Sequence, residues 1–121
     1  IYTATSNYPQ SCTLSPTSCP GSNSTLYAID ASTGSIAWHK NFVGLSGGVS
    51  STNNIVFASG GNHNFFVLDA TTGSVLWTRH DSSGGGVIVF WSWGAPSITN
   101  GMVFETTLGT STTGLLEALS P

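Results

Sequence analysis

The sequence predicts an all-β fold of β-propeller blades, four-stranded antiparallel sheets stacked face to face, with about two and a half repeats of an incomplete propeller present. Three observations predict it. Helical periodicity is absent, and short apolar runs alternate with turn clusters of Gly, Asn, Ser and Thr. Several runs are apolar on both faces: in LYAI, Leu26 and Ala28 point one way, Tyr27 and Ile29 the other. A two-layer sandwich would leave one face of each sheet wet, whereas stacked sheets cover both. Finally, one phrase is written twice. LYAIDASTGSIAW (26–38) returns as FVLDATTGSVLW (66–77), so that Asp30, Gly34 and Trp38 recur 39 residues later as Asp69, Gly73 and Trp77.

Taken in order, the predicted strands fall near 1–5, 25–30, 35–41, 48–52, 54–59, 64–69, 74–79, 86–93, 101–107 and 114–119. The first, IYTATS, faintly echoes NNIVFAS at 53–59, which NGMVFET repeats at 100–106. A Pro/Ser/Thr-rich loop over 6–24 carries Cys12 and Cys19. Their spacing matches no zinc or redox signature, and a loop-stapling disulfide and two free thiols are both open readings. LYAID makes the strand at 25–30. In the turn after it, Asp30 is placed to accept backbone N–H groups and Gly34 to take a positive φ. The strand at 35–41 carries Trp38, a plate wide enough to cover the edge of an adjacent blade. Gly47 and Gly48 lead into 48–52. The strands at 54–59, 64–69 and 74–79 repeat the set, with Asp69, Gly73 and Trp77 in the same structural roles. Gly84 to Gly86 lead into the strand at 86–93, whose run VIVFWSW (87–93) puts Trp91 and Trp93 on one face. They read as inter-blade packing, or alternatively as an aromatic platform for a sugar ring or another flat ligand. In the last pair of strands LLEALS stands for FVLDA, with Ser120 in the aspartate position. Residues 1–121 therefore read as one propeller segment with units near 1–52, 53–99 and 100–121.

Charge removes several function classes. Only 6% of residues are charged, against about a quarter in ordinary globular proteins. The basic residues are Lys40 and Arg79 alone, and the net charge is −3. No basic footprint for nucleic acid or for an anionic membrane surface exists. No apolar run reaches membrane-spanning length. Asn23-Ser24-Thr25 is an acceptor sequon for N-glycosylation. With scarce lysine, abundant Ser and Thr and the disulfide reading of Cys12 and Cys19, it predicts an extracellular, cell-surface or periplasmic protein. The start at Ile1 reads as a processed chain or a piece of a longer one.

Catalytic constellations are missing from the pattern. Asp30 and Asp69 belong to the repeated turn, while Asp81, Glu105 and Glu117 stand far apart in sequence. His39, His63 and His80 lack metal-ligand spacing. The glycine clusters precede neither lysine nor helix, and no serine sits in a strand–helix elbow.

The repeated phrase resembles that of the pyrroloquinoline-quinone (PQQ)-type propellers, the quinoprotein dehydrogenases and their non-enzymatic relatives, which include scaffolding lipoproteins of outer-membrane assembly. The family pattern, roughly A-x-D-x-x-T-G-x-x-x-W, is matched at 28–38 and, in its D-x-x-T-G-x-x-x-W part, at 69–77. WGAPSITNGMVFETT (93–107) looks like the family's strand-opening phrase. In the family's enzymes a Thr-Gly-Asn-Pro-like segment supplies an Asn that helps hold calcium beside the quinone. TSNYP (5–9) is similar, and on that analogy Asn7 is the calcium ligand. The enzymes also place a catalytic aspartate soon after the repeat Trp, but HKNFVGLSGGVSS (39–51) contains no acid. The adjacent-cysteine disulfide that covers the quinone in many members has no counterpart.

These observations predict a non-catalytic scaffold or binding segment of an exported quinoprotein-like propeller, with no cofactor in this chain. Its expected partners are the remaining blades of a larger propeller, or identical copies stacked head to tail. A fragment of a quinone- and calcium-dependent alcohol-type dehydrogenase is one alternative. A subunit of a glycosylated extracellular filament is another.

Overall fold

Tight turns set the hairpins, and the computed structural model describes residues 1–6, 23–43, 45–60, 64–80, 94–108 and 114–119. The first sheet holds β1 (Tyr2–Ser6), β2 (Asn23–Ile29) and β3 (Ile36–Val43) in the order β1-β2-β3. The second holds β4 (Leu45–Thr52), β5 (Ile55–Gly60), β6 (Asn64–Asp69) and β7 (Val75–His80) in chain order. The third holds β8 (Ser97–Thr99), β9 (Met102–Leu108) and β10 (Gly114–Leu119). All neighbouring strands are antiparallel. The all-β, propeller-like architecture is as the sequence predicts.

Two differences at strand level have physical reasons. β4 begins at Leu45, three residues before its predicted start, because its ladder with β5 continues through an irregularity between Leu45 and Val49. β8 was not foreseen: it has three residues, follows Pro96, and carries no apolar run. The strand predicted at 86–93 lies outside the described residues.

Two hairpins turn on two residues each. Asn53 and Asn54 have φ of 44° and 65°, and Asn100 and Gly101 have φ of 49° and 75°. Positive φ at both central positions is the type I′ geometry, whose twist matches that of the flanking strands. The longer turn after β2 recurs after β6. Asp30 N–H donates to Ser35 O and Gly34 N–H to Asp30 O, each at 2.9 Å. Asp69 and Gly73 repeat both bonds at the same lengths, with Ser74 in place of Ser35. A register shift precedes each aspartate, between Ala28 and Ile29 and between Val67 and Leu68.

The second sheet packs against a neighbouring sheet on each face. Leu26 and Phe42 of the first sheet pack on Leu45, Val56, Ala58 and Leu68 of the second. On the opposite face Phe57 and Phe65 pack on Val103 of the third sheet. Alternate residues of β5 thus serve opposite cores, which is why NIVFAS reads apolar throughout. Polar links supplement the packing. Ser24 Oγ donates to Leu45 O at 3.1 Å across the first junction. Gly48 N–H donates to Gly94 O, and Ser50 Oγ to Pro96 O, across the second.

Candidate functional site

The repeated phrase builds a joint between sheets. In the turn after β6, Asp69 Oδ1 accepts from the backbone N–H groups of Thr71 and Thr72 at 2.9 and 2.7 Å. The turn after β2 does the same, Asp30 Oδ1 accepting from Ser32 N–H, Ser32 Oγ and Thr33 N–H at 2.8, 2.6 and 3.0 Å. These bonds favour the ionised form. The Asp30 carboxyl is lowered to about 2, chiefly by the Ser32 hydroxyl, then by backbone bonds from Thr33 and Ser32. Asp69 is lowered by the Thr72 backbone bond first and the Thr72 hydroxyl second. Both carboxylates lie in exposed turns.

The joint closes when Trp38 of β3 lies over the turn of the next sheet. Its Nε1–H donates to Ala70 O at 2.9 Å, and the Tyr2 hydroxyl donates to the same carbonyl at 3.1 Å. The two rings stand 5.9 Å apart and tilted by 37°. Gly73 gives the ring its seat: a Cβ there would come within 2.7 Å of Trp38 Cε3. Gly73 also has a φ of 70°, so a side chain is opposed twice. Gly34 has a φ of 73°, yet nothing stands within 4 Å of its missing Cβ. Sequence reasoning missed Tyr2; its alignment with the buried Phe57 in the echoed strand is the signal that would have found it.

Trp77 stands in a different environment. It is 48% exposed and lines a cavity of about 870 Å³ between the second and third sheets. Phe57, Phe65, Val67, Val103 and Leu119 are among its apolar lining, and Arg79 lines it as well. Cross-strand pairing explains the alignment. Phe57, Val67 and Trp77 make one row across the second sheet, and Ser59, Phe65 and Arg79 make the next. The third sheet offers Val103 and Leu119 as one paired position and Glu105 and Glu117 as another.

Other sequence-derived positions divide between described and undescribed residues. Asn23 opens β2 and is exposed. Asn7, Cys12, Cys19, Trp91 and Trp93 lie outside the described residues. Exposed His80 bonds Asn64 Oδ1 through Nδ1 at 3.1 Å. Among the described residues no three of His, Cys, Asp and Glu gather around one point.

The described residues do not fit a quinone–calcium centre. Asp30 and Asp69 are bound into their own turns, and carboxylates held that low are weak bases near neutrality. Glu105 is buried. No catalytic step is assigned to them.

Comparison with known proteins gives the following relations. The family model described as outer membrane protein assembly factor BamB matches residues 22–119. Comparison with curated protein sequences gives no match. A quinohemoprotein alcohol dehydrogenase from Comamonas testosteroni is similar at a TM-score of 0.57 and 25% identity, over 71% of this chain and 14% of that one. BamB from Moraxella catarrhalis is similar at 0.55 and 18%, over 69% and 28% of the two chains. A quinohemoprotein alcohol dehydrogenase from Pseudomonas putida HK5 gives 0.64 and 22%, over 80% and 16%. This chain therefore spans between 14% and 28% of the length of these structures. Among the described residues no helix is long and apolar enough to cross a membrane.

Proposed function

We propose, from the premise that this chain belongs to the family of the outer membrane protein assembly factor BamB, that it is a non-catalytic scaffold segment of a cell-envelope β-propeller. The observation that carries this reading is the joint at Ala70. Trp38, Tyr2 and Gly73 use the repeated phrase to bind one sheet to the next. The carboxylates of the phrase are spent inside their turns, so the conspicuous residues are structural. Stacked sheets make a stiff body whose loops and edges are free to hold partners. The remaining blades of a larger propeller are its nearest partners, and the periplasmic face of the outer membrane is its place of work. The reading assigns no cofactor to these residues.

A dehydrogenase segment is the second reading, supported by the likeness to a quinohemoprotein alcohol dehydrogenase at 25% identity. One experiment separates the two. The protein that carries this chain is purified, supplied with pyrroloquinoline quinone and calcium, and assayed for alcohol-dependent dye reduction. A scaffold gives none, and its deletion lowers the amount of β-barrel protein in the outer membrane. Alcohol-dependent turnover with unchanged outer-membrane protein levels would overturn the scaffold reading.

A further inference from the structure

The two hairpin turns built on asparagine are not equally held. In the turn between β4 and β5, Asn54 O accepts from Ala70 N–H at 2.9 Å, and Asn54 Oδ1 accepts from the Thr71 hydroxyl at 3.0 Å. These bonds tie that turn to the one after β6. In the turn between β8 and β9, Asn100 and Gly101 are both exposed. Among the described residues no hydrogen bond holds the Asn100 side chain. Asn100 is also the one asparagine in the sequence that glycine follows; Asn53 precedes Asn54, and Asn54 precedes Ile55.

That pairing has a chemical consequence. The side-chain amide of an asparagine is within reach of the backbone nitrogen of the next residue. Attack requires this nitrogen to swing toward Cγ, and a side chain on its own residue crowds the path. Gly101 has no side chain, and nothing stands within 4 Å of the place a Cβ would take. The φ values of 49° and 75° put both residues in the left-handed region, which glycine enters without steric cost.

We propose that Asn100 is a deamidation site, and that its products divide the β8–β9 hairpin into a closed and an opened form. The Gly101 nitrogen bonds to Asn100 Cγ and gives up its proton. The Cγ–Nδ2 bond breaks, and ammonia leaves with that proton as a succinimide closes. Water then opens the ring at either carbonyl, so one water is consumed, one ammonia is released and nothing is oxidised or reduced. Opening at Cγ gives aspartate, which keeps the turn because Asp-Gly takes the same type I′ geometry. Opening at the backbone carbonyl gives isoaspartate, whose chain runs through Cβ and Cγ. This adds a methylene to a loop of two residues, and the strands it joins fall out of register. β8 has little else to hold it: it is a three-residue edge strand, paired among the described residues with β9 alone. Its Ile98 packs on the Phe57, Phe65 and Val103 cluster and lines the cavity together with Gly101. Isoaspartate at position 100 therefore loosens the contact between the third sheet and the second. The inference rests on turn geometry and amide chemistry, and stands whichever reading of the function holds.

The test incubates the full chain at mildly alkaline pH, digests it with chymotrypsin and maps the peptides by mass spectrometry. Isoaspartyl methyltransferase labels the isoaspartate fraction. Conversion at Asn100 is expected to be on the order of tenfold faster than at Asn53 or Asn54. Asn100→Gln, whose longer side chain closes the ring poorly, removes the label from that peptide. Hydrogen exchange at the β8 and β9 amides rises in the labelled fraction, whereas Asn100→Asp, the direct product, exchanges as fresh protein does. Conversion at Asn100 no faster than at Asn53 and Asn54 overturns the proposal, a result read on the unaltered chain even where a variant fails to fold. Labelled protein whose β8 and β9 amides exchange at the fresh rate overturns it equally.

Discussion

Adding a methyl group at Gly34 and at Gly73 separates two demands made by one motif. Both glycines sit near φ +70°, where an L-residue costs about 1–2 kcal/mol. Only Gly73 lies beneath an indole, with three Trp38 ring atoms between 2.7 and 3.1 Å from the missing Cβ. Gly34→Ala is therefore expected to cost about 1 kcal/mol, and Gly73→Ala about 1–3 kcal/mol more through overpacking. Urea denaturation of the two variants checks the difference, and equal losses would mean that Trp38 is not seated on Gly73. The aspartates of the same turns set an acid limit. The Asp30 carboxyl lies at about 2 in the folded chain, against 3.8 for the ordinary group, and Asp69 is lowered as well. A lowered folded value means stability that is present above 3.8 and lost as pH falls through the folded value. The thermal midpoint of the parent should drop over that window. The doubly substituted Asp30→Asn, Asp69→Asn chain should start lower at neutral pH and fall less on acidification. Circular dichroism melts at stepped pH test this, and parallel curves would remove the turn carboxylates from the account.

The elements built on these residues were legible to different degrees, for local reasons. The turn after β2 was readable because Asp, Thr and Gly act within five residues of chain, and the second copy at 69–73 repeats the arrangement. Strands β5 and β6 were readable because apolar residues on both faces leave few other assignments. β8 was not, since a three-residue strand after Pro96 borrows its place from the Asn100-Gly101 turn and from β9. The register shifts at Ala28 and Val67 were also invisible, because they depend on how the ladders align. The tryptophans show how far the same residue type diverges by element. Trp38 on β3 is covered and hydrogen-bonded, whereas Trp77 on β7 is about half exposed along a strand that also exposes Val75 and Leu76. Trp38→Ala should cost about 3 kcal/mol, counting lost burial and the bond to Ala70. Trp77→Ala should cost about 1 kcal/mol. Equilibrium unfolding in urea measures both, and a Trp77 loss equal to that of Trp38 would show that an unseen partner covers β7.

At the scale of the molecule, the three sheets are not joined with equal strength. Among the described residues the junction of the first and second sheets has six buried core residues, including Leu26, Leu45, Val56 and Leu68 at 2% exposure or less. It adds the Trp38 and Tyr2 bonds to Ala70 and the buried Ser24 bond to Leu45. Among the described residues the junction of the second and third sheets has three, Phe57, Phe65 and Val103, beside a cavity of about 870 Å³. A void forfeits the dispersion contacts that close packing supplies, so the second junction has less to resist opening. Amide exchange reads such differences directly, because segments with few buried contacts open below the global unfolding free energy. The amides of β9 facing β8 and β10 should exchange at least tenfold faster than those of β5, although both are central strands of their sheets. Val103→Ala should accelerate β9 further, while Val56→Ala, at the first junction, should lower the protection of β2 and β5 together. Equal exchange in β5 and β9 would mean that the third sheet is held as tightly as the first, and that the cavity does not weaken the stack.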